Sequence, residues 1–355
     1  MIKVHVRNIL LLSLLMSCLP LAAIGEAQSP EPEMHIQSMF ERSQVVVLGK
    51  VAAVRVLNEQ KTYDSRRSQS LPQSIETREA LIDVLQTYKG EQASTVRVNF
   101  TVEAPPTSVL HGAVLAEGEV ALLFLALADN GTYNLADPKW GKYRLDGFAP
   151  LGVGGSGLDQ LEKDLDSAIT ENNPSLPNVF ELLKTFGSVS PVTEEKLDSL
   201  THNSNPLYAA GAFAVLLTTK KPQYYANLGR FLRLHGSEIP PEQLMTIYGR
   251  IQDPGSAADA RVFDELSNLP LPVIKLGAMF SIRKLKSPYS VPTLISHLSD
   301  SDPTIEYLAV ITLNEIVGNG SNFGPSMPQF DKNPQNFISL WQRWWETTGI
   351  NQYSR

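Results

Sequence analysis

Apolar residues come in two rhythms along this chain, and the change of rhythm divides it. From residue 43 to about 145 the pattern is that of short strands. The segment 43–57 is dense in valine, and Gly49 within it is a natural place for a bulge or a barrel corner. Segment 95–102 (Thr-Val-Arg-Val-Asn-Phe-Thr-Val) alternates strictly, the mark of a half-buried strand. Segment 118–125 is continuously apolar after Glu119, as expected for a buried strand. Segment 80–88 fits helix or strand by periodicity. The Tyr-Lys-Gly stop at 88–90 and the neighbouring strands favour strand. Segments 132–135 and 142–145 are expected to form a closing hairpin, and the polar stretch 58–77, with Arg66 and Arg67, an exposed loop. Five or six short strands with long loops predict a small closed barrel.

After residue 157 the period becomes helical. Helices are expected over 158–169, 178–186 and 193–200, the last with Thr193 as N-cap. Segments 206–216, 272–285 and 303–316 repeat one another. Each begins with proline, and Ala278 aligns with Ala309, Phe280 with Ile311, and Ile282 with Leu313. The offset between the last two is about 31 residues, and 66 residues, about twice that, separate the first two, a period that belongs to stacked helix pairs. Weaker segments near Pro240, and at 223–234, 257–266 and 291–298, supply the intervening helices. Proline at a helix start loses no internal hydrogen bond. The small residues Ala209, Gly211, Ala212, Gly277, Ala278 and Ala309 let neighbouring helices approach closely. At the end of the chain, Phe337, Leu340, Trp341, Trp344 and Trp345 fall on one helical face and read as a cap over the last repeat.

The fold class expected is therefore multidomain: a small OB-like β-barrel followed by an α-helical HEAT-like repeat solenoid. The expected boundaries are a signal peptide at 1–27, a linker at 28–37, the barrel at 38–150, a Gly-rich hinge and connecting helix at 151–175, and the repeat domain at 176–355.

Two resemblances sharpen this. Ser43-x-Val-Val-Val-Leu-Gly-Lys-Val51, Tyr88-Lys-Gly90 and Gly118-Glu-x-x-Leu-Leu-Phe-Leu125 resemble the netrin-like module shared with tissue inhibitors of metalloproteinases, over about 38–148. That implies an OB-type barrel. In those inhibitors an N-terminal cysteine holds the target's zinc, and nothing after Ala27 matches it. The run Leu294 to Ala309 resembles HEAT-like repeats, a resemblance extending over about 200–320. Glu306 stands where such repeats usually carry an arginine that ties neighbours together.

Composition bears on address. Lys3 and Arg7 precede an apolar run interrupted by Ser17 and Pro20, and Gly25-Glu-Ala27 offers a cleavage site. This reads as a secretory signal peptide, placing the protein in a bacterial periplasm or outside the cell. Leu15-Met-Ser-Cys18 also resembles a lipobox, which makes a lipid anchor at Cys18 the alternative. The chain has 30 Lys and Arg against 37 Asp and Glu. Cleavage after Ala27 leaves 28 against 36, a net of −8, with no cysteine. Such a chain is a poor partner for nucleic acid, and no transmembrane span is expected.

Candidate chemistry is sparse. Gly152-Val-Gly-Gly-Ser-Gly157 satisfies the dinucleotide-binding pattern G-x-G-x-x-G ahead of a helix, but no βαβ unit surrounds it, so it reads as a hinge. Ser156 lacks the final glycine of a nucleophile elbow. Ser281-Ile-Arg-Lys284 matches S-x-x-K in mid-helix without its partner motifs. The five histidines after residue 27, His35, His111, His202, His235 and His297, show no metal spacing. Glu194-Glu195 reads as a helix start, Asp300/Asp302 as an inter-helix turn, and His297 as a turn residue. Asn99-Phe-Thr101 and Asn130-Gly-Thr132 match glycosylation acceptors and read as chance at that address. No catalytic, cofactor-binding or metal-ligating set is expected. The expected function is non-catalytic binding of a protein or envelope component. The alternatives are a protease inhibitor acting through the barrel edge or residues 58–77, and an enzyme with an inter-domain site.

Overall fold

A computed structural model describes residues 35–62, 73–104, 114–151, 155–186, 189–255, 258–318 and 324–353. The expected signal peptide and the alternative lipobox with Cys18, and Arg66, Arg67, His111 and Gly152–Gly154, lie outside these residues. The described chain falls into two compact units, one ending at Ser281 and the other starting at Ile282.

The first unit opens with helix α1 (Ile36–Arg42); Ile36 and Met39 are buried and the Ser43 hydroxyl closes its end on the Met39 carbonyl. Strands β1 (Val45–Thr62), β2 (Gln73–Lys89), β3 (Thr95–Ala104), β4 (Val120–Leu127), β5 (Tyr133–Leu135) and β6 (Lys142–Arg144) follow. β1, β2, β3, β5 and β4 form a ring that closes through β4 pairing with β1, and β6 adds to β4. The β3–β5 pairing is parallel and the others antiparallel. This is a five-stranded closed barrel of OB-like strand order.

Alternation explains which residues enter the barrel. Val45, Val47, Ile82, Val96, Val98, Phe100, Leu123 and Leu125 fill its interior. The intervening Val46, Leu48, Leu122 and Phe124 are also fully buried. β1 and β4 are thus covered on both faces, which is why they read as continuous apolar runs rather than alternating ones. Phe124 meets Tyr143 of β6 and Phe186 of helix α3 (Leu176–Phe186) edge-on, at centroid distances of 6.3 and 5.9 Å. Gly49 sits at a register shift of β1; a Cβ there lies 2.3 Å from the Ile82 side chain, so the strands close up only with glycine. Gly90, with φ of +95°, ends β2 in the left-handed region.

Two expectations about the barrel are corrected. Much of 58–77 is strand, not loop: β1 runs to Thr62 and β2 starts at Gln73, in register from Asn58↔Thr77 to Thr62↔Gln73. Backbone pairing needs no apolar side chains, so a polar hairpin escapes hydrophobic patterning. Segments 132–135 and 142–145 do not pair with each other; β5 lies against the end of β4 and β3, and β6 against the start of β4.

The helices follow: α2 (Leu158–Ala168), α3, α4 (Pro191–Leu200), α5 (Pro206–Leu216), α6 (Pro222–His235), α7 (Pro241–Ile251), α8 (Ala260–Ser267) and α9 (Pro272–Leu285). Proline opens α4, α5, α6, α7 and α9. The helices of successive pairs stack: α3 on α5, α5 on α7, and α6 on α8. Glycine permits the closest approaches. A Cβ on Gly211 lies 2.4 Å from the Phe180 ring, and one on Gly277 lies 2.7 Å from Ile251. The N-cap of α4 is Ser190, not Thr193; its oxygen accepts from the Thr193 amide. Thr193 sits one turn in, and its hydroxyl donates to Asp166 of α2.

In the second unit, α10 (Val291–Ser296) packs on α11 (Pro303–Val317), followed by α12 (Met327–Lys332), α13 (Pro334–Trp344) and α14 (Ile350–Tyr353). α13 packs against α11 through a face rotated from the expected one. Ile338 and Trp341 are buried, whereas Leu340 is 60% exposed. A row of aromatics, Tyr307, Phe330 and Phe337, joins α11, α12 and α13 at centroid spacings of 5.5 and 6.2 Å. The described chain is thus a β-barrel followed by an α-helical repeat region. Among the described residues no helix is long and apolar enough to cross a membrane.

Candidate functional site

Several polar side chains that could do chemistry are bound into the fold. Asp164 is the most buried acid among the described residues, on the apolar face of α2 between Leu161, Leu165 and Ala168. It accepts from the Tyr88 hydroxyl at 2.8 Å, from Gln160 Nε2 at 2.8 Å and from the Leu151 amide at 3.3 Å. Burial, together with the hydrogen bond and charge of Asp164, raises the Tyr88 phenol far above its usual range. The Gly157 amide donates to the Tyr88 carbonyl at 2.7 Å and Gln86 Nε2 to the Gly155 carbonyl at 2.9 Å. This end of the glycine-rich segment therefore fastens α2 to β2. Sequence reasoning missed Asp164, although a lone acid on an apolar helical stripe is a readable signal.

Two ion pairs brace the barrel. Lys142 Nζ lies 2.6 Å from Glu119, with side chains 11% and 5% exposed. Arg55 reaches Glu79 across β1 and β2 at 2.7 Å. Between α4 and α6, Lys221 Nζ lies 2.6 Å from Glu194, and the Tyr224 hydroxyl also donates to Glu194. Burial pushes the Glu194 carboxyl up, but the bonds from Lys221 and Tyr224 and the Lys221 charge outweigh it, holding it below the usual range.

The residues singled out from sequence do not converge. Ser281 is buried and its hydroxyl donates to the Ile251 carbonyl, a helix-to-helix tie. His202 contacts the Asp198 carbonyl, His235 pairs with Glu238 at 3.0 Å, and His297 Nδ1 lies 3.3 Å from Asp300. Asp302 caps α11 through the Thr304 amide. Burial, then the charges of Asp300 and Asp302, raises the Glu306 carboxyl. No group of three or more potential metal ligands occurs among the described residues.

What the barrel does present is apolar surface. Val56 and Leu57 on β1, and Leu81 and Leu85 on β2, are between 37% and 55% exposed on two paired strands. Beyond Lys50, β1 has only β2 as a strand partner among the described residues. No protein-family model matches the chain, and no curated protein or solved structure is significantly similar to it.

Proposed function

We propose that the protein is a secreted, non-catalytic binding scaffold that engages another protein or an envelope component through its barrel surface and repeat helices. The observation that carries this reading is the exposure of Val56, Leu57, Leu81 and Leu85, four large apolar side chains on the paired strands β1 and β2, since apolar surface left in solvent by a folded domain is available to a partner. The consumption of Ser281, His297 and the buried acids in internal bonds supports it. The netrin-like and HEAT-like resemblances, both of binding modules, support it by fold analogy alone. The test is cross-linking of the full chain in envelope extract beside the triple variant Leu57→Ser, Leu81→Ser, Leu85→Ser. The expected result is a partner captured by the native chain and lost by the folded variant; equal capture by both removes the hairpin from the interface.

Protease inhibition by the barrel edge is the second reading. It is favoured by the length of β1 and β2, which continue past the last β4 pairing at Lys50. It predicts stoichiometric loss of a protease's activity that disappears on deletion of 58–77; unchanged inhibition by the deleted form rejects it.

A further inference from the structure

The turn between β4 and β5 holds a dipeptide with chemistry of its own. Asn130 is exposed and is followed by Gly131 at φ of +77°. Chain neighbours aside, no heavy atom lies within 4 Å of where a Gly131 Cβ would stand, so the turn is open on that side and nothing packs over the dipeptide there. Thr132 clamps the pair. Its amide and its hydroxyl both donate to Asn130 Oδ1, at 3.1 and 2.6 Å, and Asn99 Nδ2 of β3 donates to that hydroxyl at 2.8 Å. The Gly131 amide itself donates to the Ala128 carbonyl at 3.1 Å, and the Ala128 amide to the Thr132 carbonyl at 2.8 Å.

We propose that Asn130 is a site of spontaneous deamidation, kept slow by the Thr132 clamp, and that its conversion loosens the parallel β3–β5 pairing of the barrel. The Gly131 nitrogen attacks Asn130 Cγ. The N–Cγ bond forms, the Cγ–Nδ2 bond breaks, and ammonia leaves with the Gly131 amide proton. Water then opens the cyclic imide at either carbonyl, giving aspartate or isoaspartate. Attack requires the Gly131 and Asn130 hydrogen bonds to break, so the reaction proceeds from the locally opened turn. Isoaspartate lengthens the main chain by a methylene and adds a charge beside Asp129. The clamp onto Asn99 is then out of register. Thr132 leads directly into β5, whose parallel pairing with β3 rests on Val98↔Tyr133 and Asn99↔Asn134.

The experiment follows the intact chain in mildly alkaline native buffer and, in parallel, in urea, with peptide mass mapping of the exchange of NH2 for OH and fragmentation that distinguishes isoaspartate. Thr132→Val removes the hydroxyl and keeps the shape; Thr132→Ser keeps the hydroxyl. Asn130 is expected to convert in the native protein, more slowly than in urea. Thr132→Val is expected to accelerate it about five-fold, the factor equivalent to about 1 kcal/mol, while Thr132→Ser stays near the native rate. The converted fraction exchanges the Tyr133 and Asn134 amides faster. Asn130 still intact in the native protein when fully converted in urea overturns the proposal. So does a Thr132→Val rate equal to the native one.

Discussion

Replacing Tyr88 with phenylalanine tests whether the Asp164 clamp holds α2 to the barrel. The change deletes one oxygen and the 2.8 Å hydrogen bond it makes. Both residues are 1% exposed, so bulk water does not supply a substitute donor. Asp164 keeps Gln160 and the more distant Leu151 amide. A hydrogen bond to a charged group contributes about 1.5–3 kcal/mol, and that is the loss expected. For a unit of this size each kcal/mol shifts Tm by roughly 2–4 °C, so the midpoint is expected to fall by roughly 3–12 °C. Thermal unfolding followed by circular dichroism reads the shift, and urea unfolding checks that the m-value is unchanged. Because the phenol is raised in the folded chain, its contribution is full below the ordinary tyrosine pKa of 10.0 and is expected to shrink as pH rises above that value, where only the unfolded chain ionises. Combining Tyr88→Phe with Asp164→Leu removes both polar groups and is expected to cost less than the sum of the two changes. A loss under about 0.5 kcal/mol, or strict additivity in the double variant, refutes the clamp.

Three further outcomes follow from the same contacts. Lys142→Met leaves Glu119 buried without its cation and is expected to cost about 3–5 kcal/mol in denaturant unfolding, largely recovered by adding Glu119→Gln. Gly211→Ala places a methyl 2.4 Å from the Phe180 ring and is expected to cost about 1–3 kcal/mol; in a Phe180→Ala background the same change is expected to be close to neutral. Glu306 has a raised folded-state pKa, so the folded state favours its protonated form and its contribution to stability grows as pH falls through that value. Glu306→Gln is therefore expected to raise Tm at neutral pH and to lose that advantage in acid; a lower Tm at neutral pH counts against the assignment.

Much of the architecture was legible because burial leaves a local imprint. Strand β3 showed its two faces by alternation, β4 its double coverage by an unbroken apolar run, and the repeat helices their starts by proline. The misread features depend on partners distant in sequence. The polar arms of β1 and β2 are strands because each supplies the other's hydrogen bonds. β5 and β6 resemble a hairpin, yet β4 offers both of them its free edge. Thr193 resembles a cap, but Ser190 takes that role one turn earlier and frees the Thr193 hydroxyl for Asp166. In α13 the apolar residues cover more than one stripe, so periodicity alone did not choose the Ile338–Trp341 side over Leu340. Of the candidate surface, Val56 and Leu57 were visible as apolar residues, but their exposure follows from β1 outrunning β4, which the sequence does not state.

The closure of β1 on β4 also sets an order of events. Val45–Lys50 must find Val120–Leu125 across two intervening strands, whereas each repeat helix meets neighbours close in sequence. Distant pairings pay loop entropy before they return energy, and chains dominated by them fold slowly. During synthesis the β1–β2 hairpin is complete while β4 is still to come. Until ring closure, the Val45–Val51 edge stands open, so the barrel segment is the part of the newborn chain that most needs shielding from its neighbours.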